Sequence, residues 1–244
     1  MALVLPDNWC VFDDAESLAQ QLVAEILQIA EHAIQETGAF HFITAGGSTP
    51  NRCYQLLAEC QADWKHWHIY MGDERVLPFN HPERNSQALL NNWLNKNEIP
   101  AKNIHFINTE AGAEKSAKAY ANTVASVQQF DLCLLGMGED GHTASLFPGH
   151  ENGASVQELT VQAISDTWAP IIIENNSPKP PAQRVSLSYA ALNRCNLVIK
   201  LVTGNTKRLA VNQWLTAQNE LPIKKVHGEQ TKVYVSQDAL PVDL

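Results

Sequence analysis

The sequence has no cluster of basic residues and no long apolar run. Its 17 Lys and Arg residues are outnumbered by 26 Asp and Glu residues, which gives a formal net charge of −9. Because affinity for a nucleic-acid backbone needs clustered cations, we expect no nucleic-acid partner. A membrane-spanning helix needs roughly 18 or more consecutive apolar residues, and no such stretch occurs, so we expect no membrane association either.

The sequence also has no CxxC pair, and its five cysteines are odd in number. Most of them stand in apolar surroundings, which is typical of buried, reduced thiols. The first residues do not show a basic segment followed by a long apolar stretch, as a secretory signal would. These features predict a cytoplasmic location.

Two common catalytic motifs are missing as well. There is no HExxH zinc motif, and there are no carboxylate clusters beyond the pairs at 73–74 and 139–140, so we expect no metal. The GxSxG turn that presents a nucleophilic serine is absent. Water activated by a side chain is therefore the simplest nucleophile for any hydrolytic reaction.

The 244 residues alternate between strand and helix patterns and show no linker or internal repeat, so we expect a single domain over residues 1–244. Strands alternating with helices favour an α/β fold, and we predict a three-layer α/β/α sandwich with a mostly parallel, doubly wound sheet. The segment 149–177 is less regular and is left open, apart from a possible peripheral strand at 169–173. The patterns predict strands at 40–45, 67–71, 130–135 and 196–203 and helices at 14–37, 85–94, 113–127 and 205–217.

The first unusual turn follows the strand at 40–45 and reads GGSTP. It places Gly47, Ser48 and Thr49 at the start of a helix, where free N–H groups and the helix dipole favour an anion. A phosphate could bind there, although an ordinary helix cap with Pro50 in the first turn explains the same residues. Both interpretations stay open on this motif alone.

A glycine-rich turn at 136–141 matches the GxGxxG pattern of dinucleotide sites. We reject that interpretation, because the Phe-Pro-Gly segment at 147–149 stops the required helix and no second strand ending in an acidic residue follows. The turn instead places Asp140 and His142 two residues apart at the exit of a strand. This arrangement favours an acid/base pair, with a structural histidine as the alternative.

Charged residues follow two more strands of the predicted sheet. Asp73 and Arg75 come directly after an apolar strand, Arg184 follows a proline-rich segment, and Lys207 stands in the first turn of a helix. A solvated loop or surface salt bridges would explain each of them separately. Because ligands of open α/β sheets bind at the carboxyl ends of the strands, all these residues together favour a phosphorylated small metabolite and general-base chemistry.

These motifs, in this order, resemble those of the 6-phosphogluconolactonases. The motifs are the turn at 46–50, the segment Gly72-Asp73-Glu74-Arg75 with Pro78 and Asn85, the long segment from Gly136 to Pro148, and Lys179-Pro180-Pro181 with Arg184. The third motif is the most specific. Together with Lys207, the resemblance covers residues 46 to 207.

The resemblance implies hydrolysis of 6-phospho-D-glucono-1,5-lactone to 6-phosphogluconate, the second step of the oxidative pentose phosphate pathway, without a cofactor. It implies that His142 is the general base and that Asp73 and Arg75 line the reacting end of the sugar. Ser48, Arg184 and Lys207 would hold the phosphate. Whether Asp140 or Asp73 orients His142 stays open, and so does the role of Arg84, where many members have Ser. Oligomeric state is not indicated.

Two alternatives remain. The related glucosamine-6-phosphate deaminases share the fold but have a catalytic Glu before the Pro that matches Pro148, and here Phe147 stands there. Proton transfer on an amino sugar would then lack a carboxylate. A non-catalytic sugar-phosphate sensor would need an output module, and the chain shows neither a DNA-binding segment nor spare length for one.

Overall fold

The computed structural model describes residues 4–150, 169–216 and 220–242. Its strands are β1 (Trp9–Phe12), β2 (Phe40–Thr44), β3 (Trp67–Met71), β4 (Asp73–Arg75), β5 (Ile104–His105), β6 (Phe130–Gly136), β7 (Ile171–Glu174), β8 (Arg184–Leu187), β9 (Cys195–Val202) and β10 (Gln230–Ser236). Its helices are α1 (Ala15–Thr37), α2 (Ser48–Leu57), α3 (Asn85–Asn92), α4 (Ala113–Ala125), α5 (Tyr189–Leu192), α6 (Arg208–Leu215) and α7 (Pro222–Lys225). Within these ranges no helix is long and apolar enough to cross a membrane.

Seven strands form one sheet in the order β1-β10-β9-β6-β2-β3-β5. All neighbouring pairs in it are parallel, which confirms the predicted α/β fold with a mostly parallel sheet flanked by helices. Its central strands are nearly continuous apolar runs, as expected of strands buried on both faces. In this register the strands β2, β3, β6 and β9 end at the same edge of the sheet.

A second sheet of three antiparallel strands, in the order β4-β8-β7, was not predicted. Three consecutive charged residues are compatible with a solvated loop at β4, yet Asp73 and Glu74 are buried. The possible strand at 169–173 corresponds to β7 at 171–174. The rest of the open segment, residues 151–168, lies outside the described residues.

Helix α1 shows how local sequence sets an element. Asp14 caps it by accepting a hydrogen bond of 2.7 Å from the Ser17 backbone N–H, and the Ser17 hydroxyl bonds back to residue 14. Gly38 ends the helix with φ of 85°, a left-handed conformation that favours glycine. One apolar face, which includes Leu22 and Ile26, is buried, and each such side chain contributes roughly 1.5–3 kcal/mol.

The predicted helix at 205–217 differs at its start. Residues Asn205–Lys207 form a single turn of 3-10 helix, and α6 begins only at Arg208. Lys207 therefore stands just before the helix rather than in its first turn. The strands β1, β5 and β10 were missed because β1 and β5 are very short and the first half of β10 is polar.

Candidate active site

A cavity of about 350 Å³ lies at the carboxyl ends of the parallel strands, where the turns after β2, β3, β6 and β9 meet the segment before β8. Of the nine residues that the sequence assigned to the site, all but Asp140 line this cavity. The eight are Gly47, Ser48, Thr49, Asp73, Arg75, His142, Arg184 and Lys207. Asp140 contacts His142.

His142 and Asp140 form a short hydrogen bond of 2.5 Å between Nδ1 and Oδ1. Burial alone would raise the pKa of the Asp140 carboxyl, but the hydrogen bond and charge of His142 outweigh that effect and lower the pKa to about 2. The carboxylate is therefore ionised near neutral pH and can only accept, so Nδ1 carries the proton. Nε2 is the nitrogen left with a lone pair in the neutral ring.

This geometry also answers which carboxylate orients His142. Asp140 holds both the ring and the backbone N–H of His142, the latter at 3.1 Å. Asp73 makes different contacts. The candidate orienting carboxylate is therefore Asp140.

Two glycines give the turn its shape. A Cβ on Gly138 would lie only 2.0 Å from Nδ1 of His142, so a larger residue would displace the ring. Gly141 has φ of 81°, and a Cβ there would lie 2.8 Å from the side chain of Leu221. Close packing around His142 thus accounts for glycines that formally match a dinucleotide motif.

The Asp73 carboxylate is buried and held by two donors. Asn85 Nδ2 donates to Oδ1 at 2.8 Å, and the Ser145 hydroxyl donates to Oδ2 at 2.6 Å. Asn85 in turn requires Gly46, since a Cβ at that position would lie 2.3 Å from its Oδ1. Asp73 is therefore fixed in the cavity wall as an acceptor for a ligand hydroxyl.

The neighbouring Glu74 is fully buried and forms an ion pair of 3.3 Å with the equally buried Arg84. Glu74 also accepts from the backbone N–H groups of Asn85 and Ser86, at 2.8 and 2.9 Å, and so caps the start of α3. Arg84 donates to the Ile107 carbonyl at 2.8 Å. Arg84, whose role was open, thus anchors the segment that carries Asn85 to the strand that carries Asp73.

Arg75 lines the cavity from the end of β4. Its Nη1 donates to the carbonyl of Glu83, whereas its Nε is buried and has no hydrogen-bond partner within the described parts of the chain. The guanidinium is therefore held in the cavity wall, where a negatively charged oxygen of a ligand could bind to it.

Three more cations line the same cavity. Arg184 is buried, donates to the Lys179 carbonyl at 3.0 Å, and has a pKa lowered by burial. Burial also lowers the pKa of Lys207, and the nearby charge of Lys179 acts in the same direction. Lys179 also lines the cavity, although the sequence motifs point to Arg184 and Lys207 and not to this residue as phosphate ligands.

The start of α2 faces the same cavity. Gly47 has φ of 113° at the cap position, and no side chain caps the first turn. Ser48 is exposed, and the Thr49 hydroxyl bonds to the Thr203 hydroxyl at 2.5 Å. The open N–H groups of this turn suit an anion better than a conventional side-chain cap.

Comparisons with known proteins point to one family. Residues 13–235 match the family model described as glucosamine-6-phosphate isomerases/6-phosphogluconolactonase. The probable 6-phosphogluconolactonase 4, chloroplastic, of Oryza sativa subsp. indica is 33% identical over 235 residues, which are 88% of this chain and 69% of that protein. The GDH/6PGL endoplasmic bifunctional protein of Oryctolagus cuniculus is 36% identical over 204 residues, but these are 79% of this chain and only 24% of that longer protein.

A solved structure agrees with the sequence matches. The 6-phosphogluconolactonase from Thermotoga maritima superposes with a TM-score of 0.82 at 28% identity, over 94% of this chain and 99% of that one. The chain belongs to the glucosamine-6-phosphate isomerase/6-phosphogluconolactonase family.

Proposed function

We propose that the protein hydrolyses 6-phospho-D-glucono-1,5-lactone to 6-phospho-D-gluconate, with water activated by His142. The observation that carries this proposal is that one cavity holds two sets of groups. Its wall contains His142, which bonds to the Asp140 carboxylate, together with three cations and an uncapped helix start. A ligand with an ester carbonyl and a phosphate fits both.

In this mechanism Nε2 of His142 accepts a proton from water as the water oxygen attacks the lactone carbonyl. Asp140 stabilises the imidazolium that forms, since it bonds to Nδ1 at 2.5 Å. The tetrahedral intermediate carries a negative oxygen, for which the guanidinium of Arg75, in the cavity wall, is a suitable donor. The bond to the ring oxygen then breaks, and the imidazolium returns its proton to that oxygen, which becomes the hydroxyl of the product.

Phosphate binding is assigned to Lys207, Arg184, Lys179 and the first turn of α2, with Gly47, Ser48 and Thr49. The net charge of −9 opposes an anionic substrate, so a local group of cations is needed. Asp73 would accept a hydrogen bond from a sugar hydroxyl. Binding energy from the phosphate would help to place the carbonyl beside His142.

The alternative functions have less support. A deaminase needs a carboxylate for proton transfer on the sugar, and the corresponding position in the cavity wall is held by the apolar Phe147. A sensor has no use for a fixed Asp140–His142 pair. We further propose that the whole chain acts as one domain in the cytoplasm and in the oxidative pentose phosphate pathway, although some relatives are named as chloroplastic or endoplasmic.

The test is a pair of assays on the purified protein. With freshly made 6-phosphogluconolactone, acid release should exceed the spontaneous rate in proportion to enzyme concentration. With glucosamine 6-phosphate, no ammonia should be released. Ammonia release without lactone hydrolysis would replace the proposal with the deaminase function, and the absence of both activities would favour a sensor.

A further inference from the structure

One aromatic side chain contacts both His142, the proposed base, and Arg184, one of the cations of the cavity wall. Phe147 is 3% exposed and lines the cavity wall. Its ring centroid lies 4.7 Å from that of His142, and the guanidinium carbon of Arg184 lies 5.9 Å from the same centroid. The Phe147 side chain has no hydrogen-bonding group, so it acts on the His142 ring by packing alone.

The other contacts of the His142 imidazole do not restrain the tilt of its ring. Asp140 fixes Nδ1, and the missing side chain of Gly138 leaves room for the Nδ1–Cε1 edge. A single hydrogen bond still allows a ring to tilt about that bond. The His142 ring is 18% exposed and its partner Asp140 is 42% exposed, so the pair is not enclosed by deep burial. The Phe147 ring, tilted 39° to the imidazole, is the apolar surface against which it rests.

We propose that Phe147 is a positioning residue that holds the His142 imidazole in its reactive orientation and sets its distance from Arg184. The inference rests on the proposed lactonase function and deepens it. An aromatic ring is rigid. One such side chain in contact with both His142 and Arg184 therefore fixes the spacing between the general base and this cation. Misplacement of a catalytic group by about 1 Å can cost up to about 100-fold in rate.

A double-mutant cycle with Asp140 tests this role. Asp140→Asn weakens the restraint on Nδ1, and Phe147→Leu removes the ring while keeping an apolar side chain. Each single variant should lower kcat for 6-phosphogluconolactone by about tenfold or more. Because both act on one imidazole, the double variant should lose clearly less than the product of the two losses. A double variant whose loss equals that product overturns the proposal.

Two further variants separate positioning from simple loss of stability. Phe147→Tyr keeps the ring and should retain more of the wild-type kcat than Phe147→Leu. Phe130 is a fully buried core phenylalanine at the opposite end of β6, so Phe130→Leu should lower the midpoint of thermal unfolding without changing kcat. Equal losses of kcat in the Tyr and Leu variants of Phe147, or a loss in Phe130→Leu as large as in Phe147→Leu, would contradict the inference. If the wild-type protein does not hydrolyse the lactone at all, the proposed function fails first.

Discussion

Two regions of the seven-stranded sheet use the same side chain in different ways. At the carboxyl end, His142 lies in a turn and bonds to an ionised carboxylate. Away from that end, His41, His68 and His105 stand on the neighbouring strands β2, β3 and β5 and stack on one another, with ring centroids 4.8 and 5.8 Å apart. Burial lowers the pKa of all three.

The difference shows what makes a histidine suited to catalysis in this fold. An imidazole that takes up a proton during a reaction needs a nearby negative charge and an open nitrogen, and His142 has both. The stacked histidines have neighbouring imidazoles and limited solvent instead, which disfavours their charged forms. The glycine turn, and not the residue type, creates the functional environment.

The largest effect is expected when the histidine at the carboxyl end is removed. His142→Ala removes the proton acceptor, so kcat for the lactone should fall by roughly 10² to 10⁴ while KM changes little. The matched control is His68→Ala among the stacked histidines, which should keep the wild-type kcat. Steady-state kinetics, corrected for spontaneous hydrolysis, measure both. Wild-type kcat in His142→Ala would falsify its role as the base.

The second test concerns the buried support behind the carboxyl end. Glu74→Gln leaves Arg84 as a buried charge without its partner, and this should lower the free energy of unfolding by about 3–5 kcal/mol. Its matched control is the ion pair of Arg52 and Glu16, which is 2.6 Å long but nearly half exposed. Glu16→Gln should lower the free energy of unfolding far less, because exposed ion pairs are screened by solvent. Urea unfolding of both variants measures the two losses in free energy of unfolding. Equal losses would show that burial does not change what an ion pair contributes to stability.

A third, smaller effect separates phosphate binding from chemistry. Lys207→Ala and Arg184→Ala remove charge-assisted contacts, each of which contributes roughly 1.5–3 kcal/mol, so KM for the phosphorylated lactone should rise by tenfold or more. The preference over unphosphorylated gluconolactone should shrink. Lys102→Ala, at the amino end of the sheet, is the control and should leave both unchanged. An unaltered phosphate preference in both site variants would contradict the assignment.

Much of the fold could be predicted because its central elements are regular. The apolar runs of β2, β3, β6 and β9 and the amphipathic face of α1 carry clear periodicity. The second sheet could not be predicted, since β4 consists of three charged residues whose burial depends on partners distant in the chain. Glu74 meets Arg84, and Asp73 meets Ser145, only after the strands have assembled.

The candidate site shows the same limit. Its polar turns could be found from sequence because they follow recognisable strands, and eight of their assigned residues line one cavity. The sequence could not give the partner of His142, the support from Asn85 or the inclusion of Lys179. These depend on side-chain directions within turns, which spacing alone does not specify. From the sequence alone, Phe147 is distinctive only because it stands where the related deaminases have a catalytic Glu.

The last prediction concerns the stacked histidines and the stability of the protein in acid. Burial lowers the pKa of His105 to about 4, and its Nε2 is buried without a partner among the described residues. An unfolded histidine has a pKa of about 6.5, so below that pH the unfolded chain takes up protons that the folded chain does not. The free energy of unfolding should therefore fall as the pH drops from about 6.5 towards about 4, and should be flat above about 7 as far as these histidines are concerned.

The groups that face the stack set the size of this effect. Tyr70 stacks on His105 at 4.3 Å, and the nearby charges of Lys102 and His66 further disfavour protonation of His68. The Asp131 carboxylate accepts a hydrogen bond from the His41 backbone N–H. Burial raises the pKa of this carboxyl, so its protonation partly offsets the loss at the acid end. After discounting for partial exposure, we expect a loss of about 1 kcal/mol between about pH 7.5 and about pH 5. His105→Phe keeps the ring but cannot titrate, so urea midpoints of this variant should fall less steeply with acid than those of the wild type. An equal slope in both proteins would mean that the acid sensitivity arises elsewhere.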